Sequence, residues 1–247
     1  MSKYLILTFL FCSSTLYSNN LQISDISYNP INNKLRFTLS WENSWRISND
    51  SYDGVWIFAK YAPNGSSQWL PVTFASVGTQ QGIYQEISHD ELGVMIGPAN
   101  VSQGDFGPGT IELFTNDLLG DFQDVKLFGV EMVHVGEGAF YAGDGFSTGR
   151  FFQSGDLTMP FYIDSEEEKI RGVGVGEFNQ LNSNNTEDLA ADYPKGFNGV
   201  FVMKYKTTVG QYLDFLNCLN RHQQNQRTET DLTVVPITNR YLSLIHI

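Results

Sequence analysis

Residues 34–42, KLRFTLSWE, alternate without a break: Leu35, Phe37, Leu39 and Trp41 are apolar, and Arg36, Thr38 and Ser40 between them are polar. Successive side chains of a β-strand point to opposite faces, so this spacing buries one face and wets the other. On a helix the same four apolar residues would scatter around the axis. A half-buried strand of this kind must find strand neighbours and an apolar layer to face, and the flanking sequence supplies both. Upstream, LQISDISY carries Leu21, Ile23, Ile26 and Tyr28 into the turn NPINN. Downstream, DGVWIFAKY sets Val55, Ile57 and Ala59 against Trp56, Phe58 and Lys60, so both faces of that strand are expected to be covered. PNGSSQWLPVTF reads as a turn and a strand, and GTIELFTN and DVKLFGVEMVHV as further strands. Turn residues recur about every ten positions, and no helical period precedes Thr207. The pattern predicts an antiparallel β-sandwich over residues 20–128, with Phe37, Trp41 and Trp56 in its core.

The composition suits that fold. The 247 residues hold one large or two modest domains, and 41% hydrophobic with 14% aromatic residues can fill a core. A charged fraction of only 17%, with 23 glycines, points to a β-rich exported protein. The net charge of −12 repels phosphate backbones and anionic lipid, which argues against nucleic-acid and membrane-surface roles. At the N-terminus, MSKYLILTFLFCSSTLYSNN places Lys3 before the apolar run Tyr4 to Phe11 and small or polar residues from Ser13 to Ser18. Residues 1–18 therefore read as a secretory signal peptide cleaved after Ser18, giving a secreted, periplasmic or cell-surface protein. Cys12 leaves with the signal, and Cys218 remains as the one cysteine, without an internal disulfide. No later apolar stretch has the length of a membrane helix.

From residue 130 the texture changes. GVEMVHVGEGAFYAGDG reads as a hairpin, and GRFFQSGD and MPFYIDSEEEKI as aromatic-rich strands. NQLNSNNTEDLAADYPKG is a polar loop; its oxygens leave open a calcium site or a merely solvated segment, although the spacing is not that of a twelve-residue calcium loop. Thr208 and Gln211 form a capping box that opens a helix. Val209, Tyr212, Leu213, Leu216 and Leu219 make its apolar stripe, with Cys218 on the opposite side, facing solvent or the absent half of the domain, and the helix is expected to end in NRHQQNQR.

Few side chains here carry chemistry. His89, His134, His222 and His246 are scattered, without the paired spacing of a zinc site. Gly172, Gly174 and Gly176 in RGVGVGEF lack the strand–helix context and Lys of a phosphate loop and read as a turn. DSEEEKI reads as a solvated strand end. No nucleophile has a recognisable base partner, so the sequence names no catalytic or cofactor-binding residue and no metal ligand.

One stretch is more specific. Lys204, Tyr205, Thr207 or Thr208, Gln211, Tyr212, Phe215 and Asn217, preceded by Val135, Gly138, Phe140 and Gly143, follow a recurrent strand–helix pattern. Ala142 stands where Met is usual and Lys206 where an acid is usual. Residues 130–241 thus resemble the opening of the formylglycine-generating enzyme (sulfatase-modifying factor) family, and residues 20–128 the N-terminal region of its exported bacterial members. The resemblance implies a C-type-lectin-like, mixed α+β second domain. In complete members it also implies structural calcium and a copper-binding cysteine pair near that domain's C-terminal end, which oxidises a substrate cysteine. Cys218 lies in the first helix, alone, and a single thiol cannot supply two soft ligands to Cu(I). The chain is accordingly expected to be a fragment lacking the catalytic half, inactive as it stands, with no cofactor of its own. Residues 242–247, LSLIHI, look like translated adapter sequence and are expected to be a non-native tail. The alternative is a surface binding or adhesion protein using a lectin-like scaffold, its partner a protein or glycan at the cell surface. A cysteine pair beyond Arg240 would discriminate the two.

Overall fold

The computed structural model describes residues 20–66, 68–116, 122–143, 151–153, 159–172, 177–180 and 187–227. The chain is mainly β. Nine strands come first: β1 (Gln22–Asn29), β2 (Lys34–Arg46), β3 (Ser51–Pro63), β4 (Leu70–Pro71), β5 (Phe74–Val77), β6 (Ile83–Ile87), β7 (Val94–Pro98), β8 (Ser102–Thr115) and β9 (Phe122–Val135). Five short strands follow: β10 (Phe140–Ala142), β11 (Phe151–Gln153), β12 (Phe161–Ile163), β13 (Phe178–Gln180) and β14 (Val200–Met203). Two helices, α1 (Val209–Leu216) and α2 (Arg221–Asn225), close the described chain.

Ten of the strands form one large antiparallel sheet along the path β14-β9-β3-β2-β8-β5, with β1 added to β2, β4 and β7 to β3, and β6 to β7. β2 and β3 touch in register only at Arg46 and Tyr52. Beyond that corner β2 pairs with β8, and β3 with β9 and β7. The sheet therefore curls, and its inner face closes on a single core. The alternation in β2 is realised as the sequence demands: Leu35, Phe37 and Leu39 are wholly buried and Trp41 nearly so, against Val55, Ile57 and Ala59 of β3 and Ile111 and Leu113 of β8. Trp56 is a correction. It points to the other face of β3 and is half-buried, with its ring over Gly93, where any Cβ would collide with the indole.

β9 alters the expected division of the chain. Its register with β3 is unbroken from Val135 opposite Ser51 to Asp124 opposite Ala62. The boundary expected at residues 128–130 thus falls inside one continuous strand, which belongs to the large sheet throughout. The expected hairpin in GVEMVHVGEGAFYAGDG does not form. β3 holds one edge of β9 and β14 the other, pairing Val200 with Val135 and Met203 with Met132, so no edge is left for β10. β10 pairs with β12 instead, and β11 with β13. Phe161, Ile163 and Phe178 form a small separate core there, packed by Ala142, Leu189 and Phe197.

α1 opens with the expected capping box, Thr208 with Gln211. The polar run after it is not a frayed end: Asn220 and Gln223 form a second capping box and start α2. Only the second half of the predicted stripe is buried. Leu216 is fully covered, with Leu213 and Leu219 against it, whereas Val209 and Tyr212 are exposed. Phe215, outside the stripe, anchors α1 to the outer face of the sheet, edge-on to Phe58 and Phe128 at 6.2 Å from each. Those two rings are cross-strand partners stacked at 4.9 Å. Cys218 is a correction: the described residues themselves bury it, so it faces neither solvent nor an open surface awaiting another half. α1 ends before it and the chain turns, Cys218 N–H bonding Phe215 O, so helical spacing no longer fixes its direction.

Candidate functional site

Where α1 leans on the outer face of β9 it leaves a groove of about 980 Å³, floored by residues 125–131 of β9. One wall is Leu21 with Ile23 and Ile26 of β1; the other is the segment from Tyr205 to Phe215. Tyr205 and Tyr212 stand on that wall partly open to solvent. Thr207, Gln211, Asp214 and Glu131 add hydrogen-bonding groups, and Lys126 lies on the floor with its ammonium 5.2 Å from the Trp69 ring. A concave surface mixing aromatic faces with a few polar groups is the usual form of a binding site.

A buried ion pair holds the groove wall. Asp53, wholly enclosed in β3, accepts Lys204 Nζ at 2.6 Å, Ser44 Oγ at 2.9 Å and Trp45 N–H at 2.8 Å. Lys204 also donates its ammonium to Asn43 O at 3.0 Å and its backbone N–H to Glu131 O at 2.9 Å. The carboxylate thus has a partner for each oxygen and the ammonium is shared between two acceptors, as burial of charge requires. Behind α1, Lys60 Nζ donates to Cys218 O at 2.6 Å. Burial pulls the Lys60 ammonium below its ordinary value and pushes the Cys218 thiol up, with the nearby lysines opposing the latter shift. A thiol held protonated is a poor nucleophile and a poor soft-metal ligand.

The acidic run DSEEEKI is not a plain solvated strand end. Glu166 accepts three backbone N–H groups, from Lys195 at 2.6 Å, Phe197 at 2.7 Å and Asn198 at 3.1 Å, where Gly196 adopts φ +83°. These bonds, Lys195 first, hold its carboxyl below the usual range. Asp164 is likewise lowered, chiefly by Lys169 Nζ at 2.5 Å. Sequence reasoning singled out Lys204 through the motif but missed Asp53 and Glu166. The only signal for Asp53 was an acid beside an otherwise apolar strand.

The other sequence candidates do not converge. His134 lies between the rings of Tyr52 and Phe201, each 4.9 Å away, with Nδ1 3.0 Å from Asp50 O. Arg46 stacks on the same Tyr52 at 4.5 Å, and the Tyr84 hydroxyl, raised by burial, bonds Glu86. His89 sits in a turn and His222 in α2. Gly172 N–H bonds Phe178 O, and Asp188 accepts the Arg171 N–H. His246, Gly174, Gly176, residues 242–247, the 1–18 segment and residues 181–186 of the polar loop lie outside the described residues. Among the described residues, no three His, Cys, Asp or Glu side chains are grouped to hold a metal ion, and no helix is long and apolar enough to cross a membrane. Compared with family models, curated proteins and solved structures, the chain matches none.

Proposed function

We propose that the chain is part of an exported protein of the formylglycine-generating (sulfatase-modifying factor) type, in which the large sheet serves as a platform for the strand–helix unit that opens the lectin-like domain. What supports this reading is the use the motif residues are put to: Lys204 reaches the buried Asp53 and Phe215 closes on Phe58 and Phe128. Two of the residues that carry the resemblance thus fasten the unit to the sheet. On this reading residues 20–247 do not oxidise cysteine. Copper activation of oxygen needs a closely spaced pair of thiolates, and these residues hold the single thiol of Cys218. Three measurements test it. The uninterrupted gene sequence past Arg240 should encode a lectin-like remainder, and exported product should begin near Asn19 by mass spectrometry. Purified chain given copper, reductant, oxygen and a cysteine-containing sulfatase peptide should yield no formylglycine above the metal-only background. A frame that continues into unrelated sequence would overturn the assignment.

The groove favours a second reading, a surface binding or adhesion protein. Tyr205 and Tyr212 offer aromatic surface beside Gln211 and Asp214, a composition suited to a protein or glycan at the cell surface. Replacing Tyr212 with Ala should then abolish attachment of the purified chain to its host's cell surface without lowering its melting temperature. Attachment that survives the change rules out the groove.

A further inference from the structure

The outer edge of β14 supports an inference that does not depend on either reading. β14 is the last strand on its side of the large sheet. Its register fixes which backbone groups it spends on β9. Lys204 N–H bonds Glu131 O, and Val202 and Val200, at two-residue steps, stand opposite Val133 and Val135 in the same phase. Phe201 and Met203 therefore turn their N–H and C=O groups away from the sheet, and no described strand pairs with that edge. Edge strands in soluble proteins are normally guarded by a charge, a proline, a bulge or a covering segment. Within β14, VFVM, there is no charge and no proline, and its register with β9 has no bulge. All four side chains are at least 40% exposed, and Met203 reaches 55%.

We propose that β14 pairs with β14 of a second copy of this chain about a two-fold axis, joining two large sheets into one. A free row of backbone donors and acceptors at strand spacing is matched by another strand, and the phase of this one makes it self-complementary. In an antiparallel pairing centred on Val202, Phe201 stands opposite Met203 of the partner subunit. The outward groups then meet in two hydrogen-bonded rings, about four bonds in all. The charges also agree. Val200 faces Lys204 of the partner subunit and Asn198 faces Lys206 of the partner subunit, so the pairing sets no like charges opposite each other. Tyr205, Val209 and Tyr212, which follow the strand in the chain, are exposed as well.

The centre of symmetry gives the test. Val202 faces its own copy there, so Val202→Lys places two ammonium groups together, and Val202→Glu two carboxylates. In sedimentation equilibrium the unmodified chain should pass from monomer to dimer as concentration rises. Each variant should remain monomeric with an unchanged melting temperature, and an equimolar mixture of the two should restore a dimer that weakens in high salt. A chain monomeric up to about 1 mM, where even a weak contact is populated, overturns the proposal. So do variants that each dimerise as well as the parent. Amide exchange provides a second readout without any substitution: slowing of Phe201 and Met203 with rising concentration supports the pairing, and rates independent of concentration reject it.

Discussion

Asp53 and Lys204 lie far apart in the chain and meet where β3, the corner after β2 and the end of β14 converge. Removing one member of a buried pair leaves the other without its counter-charge, which typically costs about 3–5 kcal/mol. The Lys204 side chain retains 13% exposure and Asp53 keeps two other donors, so Lys204→Met should cost about 3 kcal/mol in urea unfolding. Adding Asp53→Asn to that variant should recover part of the loss, because the orphaned charge is then gone. Glu166 gives a pH prediction at the same scale. Its folded carboxyl lies below the unfolded value of about 4.3, so its contribution is complete above that pH and is lost as pH falls through the depressed folded value. Amides of Lys195, Phe197 and Asn198 should therefore lose exchange protection in acid, below about pH 4. In Glu166→Gln, which has no charge to titrate, their protection should be flat across the same range. Neither residue could be read from sequence as what it is. An acid declares its partners only when distant backbone is brought to it, and for Glu166 that backbone is the turn around Gly196.

Among the elements, α1 was legible in its start and not in its seat. The capping box needs only residues three apart, so Thr208 and Gln211 announce it locally. Which side of the helix is buried depends on the surface it meets, and that surface is the stacked pair Phe58 and Phe128, brought together by long-range pairing. Phe215 accordingly outweighs Val209 and Tyr212, which satisfy the helical period but stay exposed. Thr208→Ala should cost about 1 kcal/mol, the usual value of a lost cap, seen as a lower melting temperature. Cys218 offers a direct reporter of docking. Its thiol is fully buried, so a water-soluble disulfide reagent should label it only as fast as α1 and α2 lift from the sheet. Phe215→Ala should accelerate that labelling by at least tenfold, for an anchor whose loss costs about 2 kcal/mol. Labelling at the rate of a free peptide thiol would show that the docked position is not held.

For the whole molecule, β9 decides what can be cut from what. It contributes its length to β3 on one side and its end to β14 on the other. A chain ending at Asp124 loses almost all of β9 and bares one edge of β3 together with Phe58. It should fail to melt cooperatively, whereas one ending at Val135 should retain a cooperative transition. Circular dichroism melts of the two truncations decide the point, and equal cooperativity would restore the earlier boundary. The class of fold was legible because alternation in β2 and the covered faces of β3 are local patterns. The partner of β9 was not. A strand with apolar residues on both faces, such as GVEMVHV, fits a neighbour on either edge, and nothing within it says that Ser51 rather than Gly138 lies alongside.

The same ladders set a clock. β1 and β2 are joined by a short turn and can pair as soon as both exist, but Phe37 pairs with Ile111 and Val55 with Glu131. A chain delivered N-terminus first, from a ribosome or through a pore, presents β2 and β3 long before β8 and β9 arrive. At typical synthesis rates the delay is roughly 4 to 15 seconds. Hydrophobic collapse and hairpin formation take microseconds, so the apolar faces of Leu35, Phe37, Val55 and Ile57 stand uncovered for about a million times longer than a wrong partner needs to find them. Successful delivery of this protein is therefore a matter of custody during those seconds, and a chaperone that shields extended apolar strands should govern its yield more strongly than its final stability does.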